Sequence, residues 1–183
     1  GYNKDNYCVQ ACGLNLDEFI VRSREEARAE LGWKVGVKKV LFSSSFERTV
    51  KNAPLAKAAM DLVPEAELVE LKGFNRHQVQ LAMNAADCLL LTSLNEGSPT
   101  VIKEAMAVGT PIVSVDVGDV SDVTVGTTGC FISKSYNADE LAGLIRKALA
   151  FEGKTNGRER IIELGLSNDL IAKRLMGIYN LII

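Results

Sequence analysis

Residues 88–104 read CLLLTSLNEGSPTVIKE, in which an apolar run passes through a polar turn into a helical pattern. Ser98 is a favourable N-cap residue and Pro99 a favourable first residue of a helix, so the sequence predicts a helix that begins here. Gly109 marks its end, because glycine readily adopts the left-handed conformation that closes a helix. The stretch is therefore predicted to form a strand, a turn and a helix, and this unit decides the fold.

The predicted turn carries groups that suit an anionic ligand. The backbone N–H groups of Thr100 and Val101 are expected to lie free at the positive end of the helix dipole, where a phosphate is favoured. Two carboxylates accompany them: Glu96 lies in the loop, and Glu104 lies about 7 to 8 Å along the helix from its first residue. Together these groups suit a nucleotide sugar.

The composition is that of a globular domain. The chain has 183 residues, of which 47% are hydrophobic and 24% charged, which is enough for one domain with a full core. A net charge of -2 gives no basis for nucleic acid or an anionic membrane as the main partner, so local basic residues must bind any phosphate. No apolar run approaches the length of about 18 residues that indicates a transmembrane helix.

The cysteines and the start of the chain set an expected context. The four cysteines are scattered and lack the second ligand pair of a zinc site, so no metal is expected: Cys8, Cys12, Cys88 and Cys130. The start at Gly1 has no signal-peptide pattern. We expect a piece of a longer protein in a reducing, cytoplasmic setting, with the inner face of a membrane as the alternative location.

Short apolar strands alternate with helical segments along the whole chain. Strands are predicted at residues 7–11, 39–43, 67–71, 88–92, 111–115 and 129–132. Helices are predicted after capping boxes at Ser23, Asn75 and Asn137, and at residues 54–63, 99–108, 158–164 and 169–183, with a short turn or helix at 119–123. The alternation predicts an α/β fold with a doubly wound, Rossmann-like parallel sheet. Ligands bind such sheets at the carboxyl ends of the strands, where the loops at residues 43–51 and 94–100 are expected.

Residues 92–118 read TSLNEGSPTVIKEAMAVGTPIVSVDVG, with seven residues between Glu96 and Glu104. This segment resembles, in register throughout, the E-x7-E motif of retaining glycosyltransferases of the group 1 family. The resemblance extends over residues 8–183 and implies the C-terminal, donor-binding half of a two-domain, B-type glycosyltransferase fold. Residues 1–22 would form the interdomain connection and first strand, and residues 23–183 the nucleotide-sugar-binding domain with its C-terminal helices.

The resemblance implies a role for each residue of the motif. Glu96, the first acidic residue of the motif, would be a catalytic residue placed at the donor sugar, and Glu104 would accept hydrogen bonds from the ribose hydroxyls. Five residues between them would run along the sugar and the diphosphate, with a glycine that lets the backbone approach closely: Gly97, Ser98, Pro99, Thr100 and Val101.

A basic loop is the expected diphosphate site. Family members show Gly-Arg followed by Lys-Gly, and this Arg and Lys grip the donor diphosphate. Lys51 falls on the lysine position. The arginine position holds Ser45 or Phe46, depending on where the loop is gapped, and Arg48 is the candidate replacement. Arginine binds phosphate in a bidentate way and lysine as a point charge, so the difference matters. The structural alternative is a solvated charge pair on a surface loop.

The resemblance also bears on residues outside the motif and the basic loop. Leu71 and Lys72 end a predicted strand at the same edge of the sheet and resemble the base-binding region of the family. His77, the one histidine of the chain, is expected to be a surface residue. Residues 116–118 are expected to shape the turn behind the site.

The implied reaction moves a sugar from a nucleotide diphosphate sugar to an acceptor, with retention at the anomeric carbon. No metal is needed in that family, because the helix N-terminus and the Arg/Lys pair neutralise the leaving diphosphate. The missing N-terminal domain would hold the acceptor site and any peripheral membrane contact, so the isolated chain is expected to bind nucleotide and transfer little. The donor sugar, the base, the acceptor (glycan, lipid or small molecule) and self-association stay open.

Two other functions compete with this interpretation. A noncatalytic nucleotide-binding or protein-interaction module of the same fold is favoured by the missing Gly-Arg before Lys51. A receiver-like signalling domain would need an acidic cluster at the end of the first strand and a lysine near the last strand, and residues 43–45, which read SSS, offer no acids there.

Overall fold

The computed structural model describes residues 10–180 as strands and helices in alternation. The strands are β1 (Lys38–Phe42), β2 (Ala66–Glu70), β3 (Cys88–Leu91), β4 (Ile112–Val115) and β5 (Cys130–Ser133). The helices are α1 (Arg24–Leu31), α2 (Ala53–Asp61), α3 (Arg76–Ala85), α4 (Thr100–Val108), α5 (Val120–Thr124), α6 (Ala138–Leu149), α7 (Gly157–Glu163) and α8 (Asn168–Asn180). A short 3₁₀ turn, Thr49–Lys51, follows β1.

The five strands form one parallel sheet in the order β2-β1-β3-β4-β5. The chain leaves β1 in one direction along the sheet to reach β2, then returns past β1 to β3 and continues to β5. The direction therefore reverses between β1 and β3, whose register pairs Phe42 with Leu90. This confirms the doubly wound fold and places the loops after β1 and β3 at the switch point, where ligands bind in such sheets.

Helices cover both faces of the sheet, which explains why its central strands are mostly apolar. Helices α2 and α6 pack together on one face, and α1, α3, α4 and α7 form a continuous layer on the other. All residues of β3 and β4 are buried. Cys88 in β3 is fully buried in the core, and this burial raises the pKa of its thiol. Burial likewise raises the pKa of Cys130 to about 12.

The N-caps predicted at Ser23, Asn75 and Asn137 are confirmed, but among the described residues only one of the three predicted capping boxes is complete, that of Asn75 and Gln78 at α3. At α1 the Ser23 hydroxyl accepts from the Glu26 N–H and Gly32 ends the helix with φ 67°, but the Glu26 side chain does not return a hydrogen bond to the helix end. The capping box predicted at Asn137 is likewise half formed. Asn137 accepts from the Glu140 N–H, but the Glu140 carboxylate takes a hydrogen bond from the Ser135 hydroxyl instead of returning to the helix end.

The segment before α1 packs against the C-terminal helices. The Leu14 N–H donates to the Leu166 carbonyl at 2.9 Å, and the Asn168 N–H donates to the Leu14 carbonyl at 3.0 Å. The strand predicted at residues 7–11 lies mostly outside the described residues, and its residues 10 and 11 belong to no strand. The end of the last predicted helix, residues 181–183, also lies outside the described residues, and the boundary predicted at residues 22 and 23 stays a prediction.

Membrane-spanning character is not found in the part of the chain that the structure describes. None of the helices between residues 10 and 180 combines the length and the apolar composition needed to cross a bilayer.

Candidate functional site

A cavity of about 460 Å³ opens at the carboxyl ends of β1 and β3, at the switch point of the sheet. This volume is within the range of small-molecule sites. Its walls come from the loops after β1, β2 and β3 and from the first turns of α3 and α4. The lining residues are Ser43, Ser44, Arg48, Lys51, Leu71, Arg76, Val79, Glu96, Ser98, Pro99, Thr100, Val101 and Glu104.

The N-terminus of α4 forms one wall, one residue later than predicted. Pro99 is the N-cap and Thr100 the first helical residue. The prediction that Ser98 caps the helix is wrong, because its hydroxyl is held by charged groups: it donates to Asp119 and accepts from Lys103. The expected free donors are present nevertheless, since no acceptor within residues 10–180 receives the backbone N–H of Thr100 or Val101.

Charged groups hold the β3–α4 loop from behind. Lys103 is almost fully buried, and its Nζ donates to the Ser98 Oγ at 2.6 Å and to the Cys12 carbonyl at 2.8 Å. Burial lowers the pKa of this ammonium, while nearby Asp119 acts in the opposite direction. The Asp119 N–H in turn donates to the Gly97 carbonyl at 3.1 Å. Residues 116–119 therefore shape the loop that carries Glu96, as expected for the turn behind the site.

Lys51 and Glu96 form an ion pair inside the cavity, with 2.5 Å between Nζ and Oε1. The 3₁₀ turn that carries Lys51 is fixed to the β3 loop, because the Leu94 N–H donates to the Val50 carbonyl and the Thr92 hydroxyl donates to the Lys51 carbonyl. The lysine predicted for the diphosphate and the carboxylate predicted for the sugar thus lie side by side.

Glu104 faces the same cavity and is paired with Arg76, a residue that sequence analysis did not assign. Arg76 Nη1 lies 2.7 Å from Glu104 Oε1, and the Glu104 side chain is only 9% exposed. Burial raises the pKa of the Glu104 carboxyl, and the neighbouring Arg76 guanidinium acts in the opposite direction.

The basic loop after β1 supplies part of what was predicted. Arg48 lines the cavity together with Ser43 and Ser44, whereas Ser45 does not. The Ser45 hydroxyl instead accepts from the Glu47 N–H at 3.3 Å. Ser43 lines the cavity, and its hydroxyl is buried without a hydrogen-bond partner among the described residues.

The remaining predicted positions divide between the cavity and the surface. Leu71 lines the cavity with Val79, but Lys72 lies outside it in an exposed ion pair with Glu47. Gly97 is also not part of the lining. His77 is exposed, with its Nε2 2.9 Å from Glu30 Oε1, as expected for a surface residue.

Two of the residues that sequence analysis missed, Lys103 and Arg76, each had a recognisable signal. Lys103 is a lone cation within the apolar run of α4, and such a residue is buried only when a partner is present. Arg76 opens the helix that follows β2, at the same edge of the sheet as Glu104. Neither signal identifies the partner. Glu104 lies 28 residues from Arg76 along the chain, and the Cys12 carbonyl lies 91 residues from Lys103.

The charges in the cavity favour an anionic ligand that also carries hydroxyl groups. Three cationic side chains, Arg48, Lys51 and Arg76, face two carboxylates, Glu96 and Glu104. The free N–H groups of α4 add positive potential at the same wall. The carboxylates supply acceptors for hydroxyl groups. Between residues 10 and 180 no cluster of three or more His, Cys, Asp or Glu side chains is placed to hold a metal ion.

Comparison with known proteins identifies relatives of this chain. The family described as glycosyl transferases group 1 matches residues 66–166. TuaC of Bacillus subtilis (strain 168), described as a teichuronic acid biosynthesis glycosyltransferase, is 39% identical over 71 residues, which are 39% of this chain and 18% of that protein.

Solved structures share the fold. Sucrose-phosphate synthase from Thermosynechococcus elongatus superposes with a TM-score of 0.80 at 22% identity, over 93% of this chain and 51% of that one. Anabaena Alr3699/HepE, solved in complex with UDP and glucose, gives a TM-score of 0.74 at 19% identity, over 92% of this chain and 55% of that one. The chain thus spans about half the length of these structures. Because the family match covers more than half of its residues, the chain belongs to the group 1 family of glycosyl transferases.

Proposed function

We propose that this chain is the donor-binding half of a retaining glycosyltransferase that uses a nucleotide diphosphate sugar. One observation carries the proposal. A single cavity at the switch point joins a helix N-terminus with free N–H groups, the cations Arg48 and Lys51, and the carboxylates Glu96 and Glu104. A diphosphate linked to a ribose and a sugar needs these three kinds of group together.

The diphosphate would lie against the N-terminus of α4 and the two cations. Lys51 Nζ is paired with Glu96 Oε1 at 2.5 Å. A diphosphate that takes over Lys51 therefore leaves the Glu96 carboxylate facing the donor sugar. The same cations stabilise the negative charge that develops on the leaving diphosphate, so the reaction proposed here needs no metal.

The nucleoside would occupy the other end of the cavity. Glu104 would accept hydrogen bonds from the ribose hydroxyls, and Leu71 with Val79 would pack against the base. Ser43, which has an unpartnered buried hydroxyl, is an additional donor near the phosphates. The HepE structure, described as a complex with UDP and glucose on a similar fold, supports a nucleotide and a hexose as the ligand types.

The acceptor site belongs, in this proposal, to the rest of a longer protein. The chain matches about half of each similar structure, which supports a missing N-terminal domain. The name of TuaC supports a glycan as the acceptor class. Transfer at a substantial rate by these 183 residues alone would contradict this division.

Calorimetric titration with UDP, GDP and ADP tests the donor site. One nucleotide is expected to bind, and Lys51→Ala and Glu104→Ala are each expected to weaken it about 10- to 100-fold, as for a lost charge-assisted hydrogen bond. Lys173→Ala, an exposed lysine on α8, is the control and should leave the affinity unchanged. Absence of binding to all three nucleotides would contradict the proposal and favour a noncatalytic protein-interaction module.

A further inference from the structure

We propose that Arg76 is a positioning residue that holds the Glu104 carboxylate as a ribose acceptor, by occupying one of its oxygens and leaving the other open to the cavity. The inference rests on the proposed function, which assigns the ribose to Glu104. It adds a residue outside the E-x7-E segment, from a different helix, to the nucleotide site.

The geometry of the pair carries the inference. Arg76 Nη1 donates to Glu104 Oε1 at 2.7 Å, while Oε2 has no donor among residues 10–180. A glutamate side chain has several rotamers, and a charge-assisted hydrogen bond from a fixed partner selects one of them. Because both residues line the cavity, the oxygen that stays unoccupied is the one available to a ligand.

Arg76 is itself held in place. It is the first residue of α3, next to the complete capping box formed by Asn75 and Gln78. Its guanidinium lies 4.8 Å from the centre of the Phe19 ring, and its Nε lies 3.1 Å from Glu18 Oε2. Phe19 is fully buried, so the ring is a fixed surface for the cation. These contacts orient the guanidinium toward Glu104.

The charge on Glu104 depends on the same contact. Burial and Glu18 raise the pKa of Glu104, and Arg76 opposes both. Across the cavity the other charged groups are Arg48 and Lys51 on the loop after β1 and Glu96 on the loop after β3. Arg76 is the cation that touches Glu104, so its loss should leave the buried carboxyl protonated to higher pH.

Two variants and one control separate positioning from a merely structural role. Arg76→Gln removes the charge, Arg76→Lys keeps it, and Arg146→Gln removes an arginine of similar exposure, 52% against 56%, that pairs with Glu65 elsewhere on the surface. The ¹³C titration of the Glu104 carboxyl is followed in each protein, with assignment by Glu104→Gln. The affinity for the best nucleoside diphosphate and for its 2′-deoxy form is then measured between pH 5 and about 9, where a perturbed carboxyl titrates.

The expected result has three parts. The midpoint of the Glu104 titration rises by about one pH unit or more in Arg76→Gln, and is largely restored in Arg76→Lys. The affinity for the ribonucleotide falls about tenfold at neutral pH, by loss of one charge-assisted acceptor, and recovers as the pH rises. The preference for the ribonucleotide over its 2′-deoxy form shrinks only in Arg76→Gln.

Each failure has its own meaning. An unchanged Glu104 titration in Arg76→Gln, or an affinity that falls equally at every pH and for both nucleotides, would overturn the role of Arg76. If the wild-type chain binds no nucleotide, the proposed function fails, and with it the ribose as the ligand of the pair. The titration would in that case still decide whether Arg76 lowers the pKa of Glu104.

Discussion

Gly118 packs directly against the backbone of Gly97, whose carbonyl oxygen lies 2.5 Å from the position that a Cβ atom on Gly118 would take. The Glu96 carbonyl lies 2.9 Å from the same position. The turn after β4 thus supports the loop that carries Glu96 into the cavity, and only a residue without a side chain leaves room for that loop. The contact joins the carboxyl ends of β3 and β4 at the site.

Gly118→Ala is expected to displace this loop and weaken nucleotide binding at least tenfold, with a loss of about 2–4 kcal/mol in the free energy of unfolding, because a backbone clash adds to the strain of a positive φ. Calorimetry and urea denaturation measure the two effects. Gly126→Ala is the matched control, since Gly126 has φ +79° but nothing within 4 Å of a Cβ atom. It should lose about 1–2 kcal/mol of stability and keep its affinity. Equal effects of the two variants on affinity would contradict the role of the contact.

Glu104→Gln is expected to lower the nucleotide affinity and to raise the free energy of unfolding. Burial raises the pKa of the Glu104 carboxyl in the folded chain above its ordinary value of 4.5, so the folded state binds the proton more tightly than the unfolded state. The contribution of this group to stability is complete below the unfolded pKa and is lost as the pH rises through the folded pKa.

The free energy of unfolding, measured against pH for wild type and for Glu104→Gln, tests this direction of the pKa shift. Relative to wild type, Glu104→Gln should gain stability as the pH rises from 4 to about 8, while nucleotide binding falls at least tenfold through loss of a charged acceptor. Glu159→Gln, an exposed glutamate on α7, serves as the control. A variant that becomes less stable than wild type with rising pH would contradict the raised pKa.

The fold could be predicted because each element carries its own local signal. Apolar strands such as Cys88–Leu91 and caps such as Asn75 are visible over a few residues. The strand order, in contrast, depends on pairing between segments that are distant in the chain, and the sequence analysis made no prediction of it. The misplacement of Ser98 shows the limit. Its N-cap preference is real in isolation, but Lys103 and Asp119 compete for the hydroxyl, and only the packed structure brings them together.

The candidate site was predictable where its residues belong to one continuous segment. Glu96 and Glu104 fall within a single loop and helix, whereas Arg76 meets Glu104 only after α3 and α4 pack side by side. Ser45 and Lys72 were placed by their positions along two loops, those after β1 and after β2, and neither residue lines the cavity. Contacts between distant segments are therefore what the sequence alone did not reveal.

Asp87 provides a test of stability at a distance from the site. Its side chain is almost fully buried after α3 and lies 2.6 Å from Arg28, 3.1 Å from Arg24 and 3.4 Å from Lys38. Asp87→Asn leaves these cations without a charged partner and is expected to cost about 3–5 kcal/mol in urea denaturation. Asp61→Asn, on the exposed end of α2, should cost less than about 0.5 kcal/mol. Nucleotide affinity should be unchanged in both, and a loss confined to Asp87→Asn would show that this cluster affects the site.

The contact between Lys103 and Ser98 should behave as one unit that fixes the loop. Both variants, Lys103→Met and Ser98→Ala, remove the same 2.6 Å hydrogen bond, so their effects on the free energy of unfolding should not add, with a coupling of about 1–2 kcal/mol. Methionine keeps the buried volume and removes the cost of burying an ammonium, which is why Lys103→Met alone is expected to change stability little while it weakens nucleotide binding. In the control cycle, Lys173→Ala on α8 replaces Lys103→Met, and its effect on the free energy of unfolding should add to that of Ser98→Ala without coupling. Additive losses for Lys103 and Ser98 would mean that the loop is held mainly by the backbone contact to Gly118 and by Asp119.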